Sequence, residues 1–220
     1  MSVWTVVVAA GSGLRFGGKK QLMEVGGVQV FLHSVKAASL VSDGIVVVVP
    51  KENVDVVNEL VAGKDKVKGV VSGGSTRSES VRCGLNLVPE EIKILVVHDA
   101  VRPVASQKLF SRVVSEVQSG SEAVVPITPV VDSIRSRQGD QIDRENLVAI
   151  QTPQAFDAGL LRKAHLTGDD ALDDASLVES VGGHISFIEG DVRNIKITFP
   201  SDLLIVEKFL NELREENERK

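Results

Sequence analysis

The run from Val3 to Val8 carries no charge, is rich in β-branched side chains, and ends at Ala9-Ala10-Gly11-Ser12-Gly13-Leu14-Arg15. A strand without polar alternation has both faces buried, and such strands belong to parallel sheets covered by helices. The chain must then turn sharply at the strand's carboxyl end. Open α/β sheets bind their ligands there, and Gly11 and Gly13 let backbone approach an anion closely. Arg15, Lys19 and Lys20 follow at once, so the turn reads as a phosphate cradle with cations built in.

Two familiar glycine loops fit poorly. A P-loop needs a hydroxyl after its Gly-Lys pair, and Lys20 stands where that hydroxyl should follow Gly18-Lys19. A dinucleotide fingerprint needs a small residue three places after Gly13, where this chain has Phe16. An ordinary βα turn with solvated Arg15, Lys19 and Lys20 stays open on the loop alone.

Alternation continues downstream. Helix is expected over Val30–Leu40, Asn53–Val61, Thr76–Val88, Gln107–Val117 and Ala158–His165, and again from Ser201-Asp202; strand is expected over Gly44–Val49, Val67–Val71, Ile94–Val97, Ala123–Val125, Ile185–Ile188 and Asn194–Thr198. Thr76 and Glu79 have capping-box spacing just after a second glycine turn, Gly73-Gly74-Ser75. This pattern implies right-handed βαβ units in a largely parallel sheet flanked by helices. Between about 127 and 151 it breaks. Val130–Arg135 and Gln141–Arg144 flank the turn Gly139-Asp140, and Asn146–Gln151 adds an extended piece, so a short, charged β-hairpin arm is expected. A partner subunit or the chain's own body could support it.

With 220 residues, 43% of them hydrophobic, the chain can bury a full core, and no stretch reads as a linker; a single domain over 1–220 is expected. Neither a signal peptide nor an apolar run of about 18 residues stands out. A lone Cys83 suits a reducing compartment, and cytoplasmic residence without a membrane partner is expected. A net charge of −5 gives no nucleic-acid tail. His33, His98, His165 and His184 lack zinc spacing and read as structural; Asp169-Asp170 to Asp173-Asp174 reads as a solvated loop, with Asp174 as a helix cap.

On the expected carboxyl edge, Arg15 and Lys20, Gly73-Gly74-Ser75, and Asp99 with Arg102 come together, while Lys196 lies near a late strand. Cations and backbone donors around one crevice suit a nucleoside triphosphate, because phosphoryl transfer relies on positioning and electrostatics and needs no nucleophilic triad.

At these residues the sequence resembles a known family. The loop AAGSGLRF with KKQ, then GGSTRSESV, VHDAVRP, the arm's DR followed by TPQAF, then DDASLVE and NIKIT are similar, in order from about Val3 to Leu210, to 2-C-methyl-D-erythritol 4-phosphate cytidylyltransferases. The resemblance implies a Rossmann-like fold, a homodimer with exchanged arms, and transfer of the cytidylyl group of CTP to methylerythritol phosphate with release of pyrophosphate, with Mg²⁺ on the triphosphate. It assigns Arg15, Lys20 and Lys196 to the phosphates. Ala9, Ala10, Gly11, Ser12, Gly13, Gly74, Ser75 and Ser80 would hold the nucleotide. Asp99 and Arg102 would meet the second substrate, with Ser133 and Arg144 reaching it from a partner's arm and Thr152 supporting that edge. Two departures stand out: Lys19 occupies a place where the family commonly has proline, and Ser75 one where an acidic residue is frequent. The nearest rival is a cytidylyltransferase for ribitol or glycerol phosphate, whose first loop tends to read Leu-Ala-Gly-Gly. A nicotinamide oxidoreductase is disfavoured by Phe16, and a non-catalytic nucleotide-binding module would have no need of both Lys20 and Lys196.

Overall fold

A computed structural model describes residues 1–11, 16, 18 and 20–218, without the side chains of Lys20 and of residues 217 and 218. Arg15, Ser12, Gly13 and Lys19 therefore lie outside the described residues, as does the side chain of Lys20.

The chain opens with β1 (Val3–Val8), a small hairpin of β2 (Glu24–Val25) and β3 (Val28–Gln29), α1 (Val30–Ser39), β4 (Gly44–Val49), α2 (Val54–Val61), β5 (Val67–Ser72) and α3 (Arg77–Leu85). It continues through β6 (Ile94–Asp99), α4 (Gln107–Gln118), β7 (Ala123–Pro129), β8 (Ile134–Arg135), β9 (Gln141–Ile142), β10 (Val148–Ile150) and β11 (Gln154–Asp157). The last elements are α5 (Ala158–Leu166), α6 (Asp174–Ser180), β12 (Ile185–Glu189) and α7 (Asp202–Glu218).

β6, β1, β4 and β5 lie side by side and parallel, and β12 runs parallel to β7; β11 enters antiparallel between β6 and β7. The valine runs are explained by helices on both faces. On β4, Ile45, Val47 and Val49 face one cluster with Phe31 of α1, Val57 of α2 and Phe110 of α4, while Val46 and Val48 face another with Val81 of α3, Leu161 of α5 and Val178 of α6. A third cluster joins Val101, Val104 and Ile197 to Val206 and Leu210 of α7.

Three expectations need correction. Asn194–Thr198 is no strand: Ile197 N–H donates to the Val101 carbonyl, so Asn194 and Ile197 are buried in an irregular segment against the loop after β6. The piece expected to extend the arm instead joins the main sheet, as β10 pairs antiparallel with β7. Asp174 caps nothing. Asp173 accepts from Ser176 N–H as the α6 cap, and Asp174 is wholly buried. The hairpin does form, with β8 paired to β9 and Gly139 at φ 101°, a left-handed conformation that favours glycine.

Candidate active site

After β1 the chain crosses through α1 to β4 on one side; β6 later returns to the other side of β1. Strand order thus reverses between β1 and β6, and the crevice outside their carboxyl ends is where such sheets take ligands. Asp99, the last residue of β6, is in register with Val8, the last of β1, and Ala100 N–H donates to the Val8 carbonyl at 2.9 Å. The loops after β1 and β5 also touch: a Cβ on Gly73 would lie 2.5 Å from Ala10 Cβ and 2.7 Å from Ser80 Oγ. Glycine is required at 73 because the two loops approach this closely.

Around that crevice the polar groups are already organised. Ser80 Oγ accepts from Gly74 N–H at 3.2 Å and donates to the Thr76 carbonyl at 2.8 Å. Thr76 Oγ1 accepts from Glu79 N–H, half of the expected capping box, whereas the Glu79 carboxylate reaches back to the N–H and hydroxyl of Ser75, both at 2.6 Å. Those hydrogen bonds hold the Glu79 carboxyl below its usual range. Ser80 therefore shapes the backbone at Gly74, and Ser75 is held by its own helix. Gly11, Gly74 and Ser75 are exposed, while Ala9 is buried and Ala10 half-buried.

Asp99 is the electrostatic centre. Its Oδ2 accepts from Lys196 Nζ at 2.7 Å and its Oδ1 from Arg77 Nε at 3.3 Å. Burial pushes this carboxyl up, but Arg77, Lys196 and Arg102 more than offset it and hold it well below the usual carboxylate range. The Asp99 N–H donates to Thr152 Oγ1 at 3.0 Å, and that oxygen lies 3.1 Å from His98 Nδ1. His98 is fully buried; desolvation pushes it down to about 3, so the ring is neutral. Arg102 ties the edge together, donating from Nη1 to the Asn194 carbonyl at 2.8 Å and from Nη2 to that of Ile150 at 3.2 Å. Burial lowers its pKa.

Asp99, Arg102, Thr152 and Lys196 are thus brought together, next to Ala9, Ala10, Gly11 and the Gly74 turn. Ser133 and Arg144 are exposed on the arm, where Arg144 Nη1 donates to the Val131 carbonyl. The sequence reasoning missed three contributors. Arg77 binds Asp99 and also donates from Nη1 to Asp174 Oδ2 at 2.7 Å. Gln151 and Asn194 interlock beneath Thr152, with Asn194 Nδ2 donating to the Thr152 carbonyl at 2.9 Å. Arg77 sits inside the quoted GGSTRSESV and Asn194 inside NIKIT, so both were visible as motif members, but a charge or an amide in a motif does not disclose its partner.

A Rossmann-like sheet with a crevice at its switch point, bordered by glycine turns and a cation cluster around Asp99, is the kind of architecture that handles nucleotides. Residues 3–212 match the family described as "IspD: 2-C-methyl-D-erythritol 4-phosphate cytidylyltransferase". The chain is 41% identical over 220 residues to the 2-C-methyl-D-erythritol 4-phosphate cytidylyltransferase of Nocardia farcinica, covering 96% of this chain and 94% of that one. It is 39% identical to a bifunctional enzyme IspD/IspF of Solidesulfovibrio magneticus, covering 92% of this chain but 56% of that longer relative. The crystal structure of 4-diphosphocytidyl-2C-methyl-D-erythritol synthase from Anaerococcus prevotii superposes with a TM-score of 0.82 at 28% identity, covering 96% of this chain and 98% of that one. The chain belongs to the 2-C-methyl-D-erythritol 4-phosphate cytidylyltransferase family and is a nucleotidyltransferase.

Proposed function

We propose that the crevice joins CTP to 2-C-methyl-D-erythritol 4-phosphate, giving 4-diphosphocytidyl-2-C-methyl-D-erythritol and pyrophosphate, through the residues gathered around Asp99. The observation that carries this reading is a buried, ionised Asp99 between Lys196 and Arg77, in register with the last residue before the glycine loop. Ala9, Ala10 and Gly11 with Gly74 hold the cytosine and ribose through backbone groups, Ser80 by fixing Gly74; Ser12, Gly13 and Ser75 belong to the same two turns. Arg15, Lys20 and Lys196 take the phosphates. Asp99 accepts polyol hydroxyls, Arg102 closes the edge, and Thr152 holds the Asp99 backbone.

A phosphate monoester has a second pKa near 6, so at pH 7 the attacking oxygen is mostly deprotonated and needs no general base. The protein's task is to bring two anions together. Cations fixed in a partly dry crevice do this before the reaction starts, which is why they count for more than charges in water. Mg²⁺ fits as an ion carried in on the triphosphate, because Mg²⁺ is ordinarily held by substrate phosphates, waters and one or two carboxylates. When bound, it neutralises charge on the triphosphate.

We further infer a homodimer in the cytoplasm, with one domain over 1–220 and the arm reaching a partner's site. Supporting the dimer, residues 131–150 are exposed except Ile134, Ser136 and Leu147. At the arm's root an open groove of about 750 Å³ is lined in part by Val131, Leu147, Val148 and Phe187. Among the described residues no helix is long and apolar enough to cross a membrane.

The test is pyrophosphate release with each nucleoside triphosphate against methylerythritol, ribitol and glycerol phosphates. CTP with methylerythritol phosphate should lead. Turnover with UTP equal to that with CTP, or with ribitol phosphate equal to that with methylerythritol phosphate, would refute the assignment.

A further inference from the structure

Lys196 presents a difficulty for the reading above. Its Nζ sits 2.7 Å from Asp99 Oδ2, and any swing of the ammonium toward phosphates draws a counter-ion away from a carboxylate only 7% exposed. Arg77 is placed to solve this. Its Nε reaches the other oxygen of Asp99, and its Nη1 is anchored on Asp174. Asp174 Oδ1 in turn meets His165 Nε2 at 3.0 Å, and both residues are buried. The Lys196 side chain is 41% exposed, whereas that of Arg77 is 21% exposed and bound at both ends.

Neither helix capping nor stability accounts for this chain of charges. Asp173 already caps α6, and a buried ion pair is a weak stabiliser compared with apolar packing. Only a guanidinium can serve two carboxylates through different edges of one rigid plane; an ammonium cannot hold that geometry.

We propose that Arg77, anchored by Asp174 and His165, is a positioning residue: it stays on Asp99 to hold the carboxylate oriented toward polyol hydroxyls while Lys196 moves to the phosphates. This rests on the reading of Asp99 as the polyol contact and Lys196 as a phosphate contact. The groups facing Asp99 are Arg77 from α3, Lys196 from the segment before α7, Arg102 from the loop after β6 and the adjacent neutral His98. Without Arg77, burial of Asp99 is opposed by fewer cations, so the carboxyl titrates at higher pH.

The experiment compares Arg77→Gln, Arg77→Lys, Asp174→Asn and Asp99→Asn. It measures kcat, KM for the polyol phosphate, the Kd of CTP alone, and thermal unfolding. Arg77→Gln should raise KM for the polyol phosphate by roughly 10- to 100-fold, the scale of a small misplacement of a reacting partner. Its CTP Kd should stay within about threefold of wild type, because the Arg77 guanidinium is bound to Asp99 and Asp174 and not to the Gly74 turn. Arg77→Lys should restore only part, and Asp174→Asn should move KM the same way by less. A lowered Tm with wild-type KM in Arg77→Gln would overturn the proposal; if that variant does not fold, the same outcome in Arg77→Lys and Asp174→Asn overturns it. A wild-type KM in Asp99→Asn would instead overturn the underlying reading of Asp99, whereas a raised KM there with no change in the Arg77 variants sinks the Arg77 inference alone.

Discussion

His98 lies directly behind the site, and its protonation should set how the protein responds to mild acid. Desolvation pushes its folded pKa from 6.5 down to about 3, while the unfolded chain titrates near 6.5. The unfolded state therefore binds the proton first. Stability from this group is complete above pH 6.5 and falls steadily as pH drops toward 3. At pH 5 the unfolded imidazole gains RT ln(1 + 10^1.5), about 2 kcal/mol, and the folded one almost nothing. For a chain of this size about 2 kcal/mol corresponds to roughly 4–8 °C in Tm. Asp99 and Asp174, whose folded pKa values are lowered because nearby cations outweigh burial, add stability that is present above the unfolded carboxylate range and is lost below it, outside the interval from pH 7 to 5. His33, lowered chiefly by burial, contributes within the interval, so a double difference is needed. Urea unfolding at pH 7 and pH 5 should show wild type losing about 2 kcal/mol more than His98→Gln across that step. Equal losses in the two proteins would refute the claim that His98 is held neutral beneath Thr152.

Lys196→Ala should lower turnover by roughly 10²–10³-fold, the cost of one preorganised transition-state donor, while the protein still folds because Arg77 and Arg102 continue to face Asp99; steady-state kinetics beside calorimetry checks both halves. Gly73→Ala forces a methyl to within 2.5 Å of Ala10 Cβ and should part the two nucleotide loops, raising KM for CTP by about tenfold or more at an overpacking cost of about 1–3 kcal/mol; an unchanged KM would show that the loop contact is irrelevant to binding. Lys20→Ala and Arg144→Ala chains, each nearly inactive, should regain about a quarter of wild-type sites when unfolded and reassembled together, because a mixed dimer with exchanged arms collects both lesions in one site. No regain from verified mixed dimers would mean that each chain supplies its own arm.

The sheet was legible in the sequence because burial on both faces leaves a mark that needs no partner to be read. Uncharged runs such as Val3–Val8 and Gly44–Val49 can be satisfied only between two helical layers, and both strands have those bounds. Glycine turns at strand ends likewise announced the crevice, since backbone must come close there. β11 was hidden: Gln154-Ala155-Phe156-Asp157 is too short and mixed to declare itself, and its place between β6 and β7 comes from ladder hydrogen bonds with residues far away in the chain. The segment Asn194–Thr198 looked like a strand because Ile195 and Ile197 alternate with polar residues, but Ile197 is buried in the cluster beneath α7 and Ile195 is half-buried against it, without a ladder. Asp174 is the sharpest case. An acidic residue among four in a loop reads as solvated surface, and only packing of α6 against α5 and α3 supplies His165 and Arg77 to hold it in the interior. The sequence by itself therefore determined the strands buried on both faces and the glycine turns at their carboxyl ends, because periodicity and glycine placement are local properties. Which charges neutralise one another was decided by the tertiary structure alone, because Arg77, Asp99, Asp174 and Lys196 meet only when distant segments fold together and exclude the water that would otherwise solvate them.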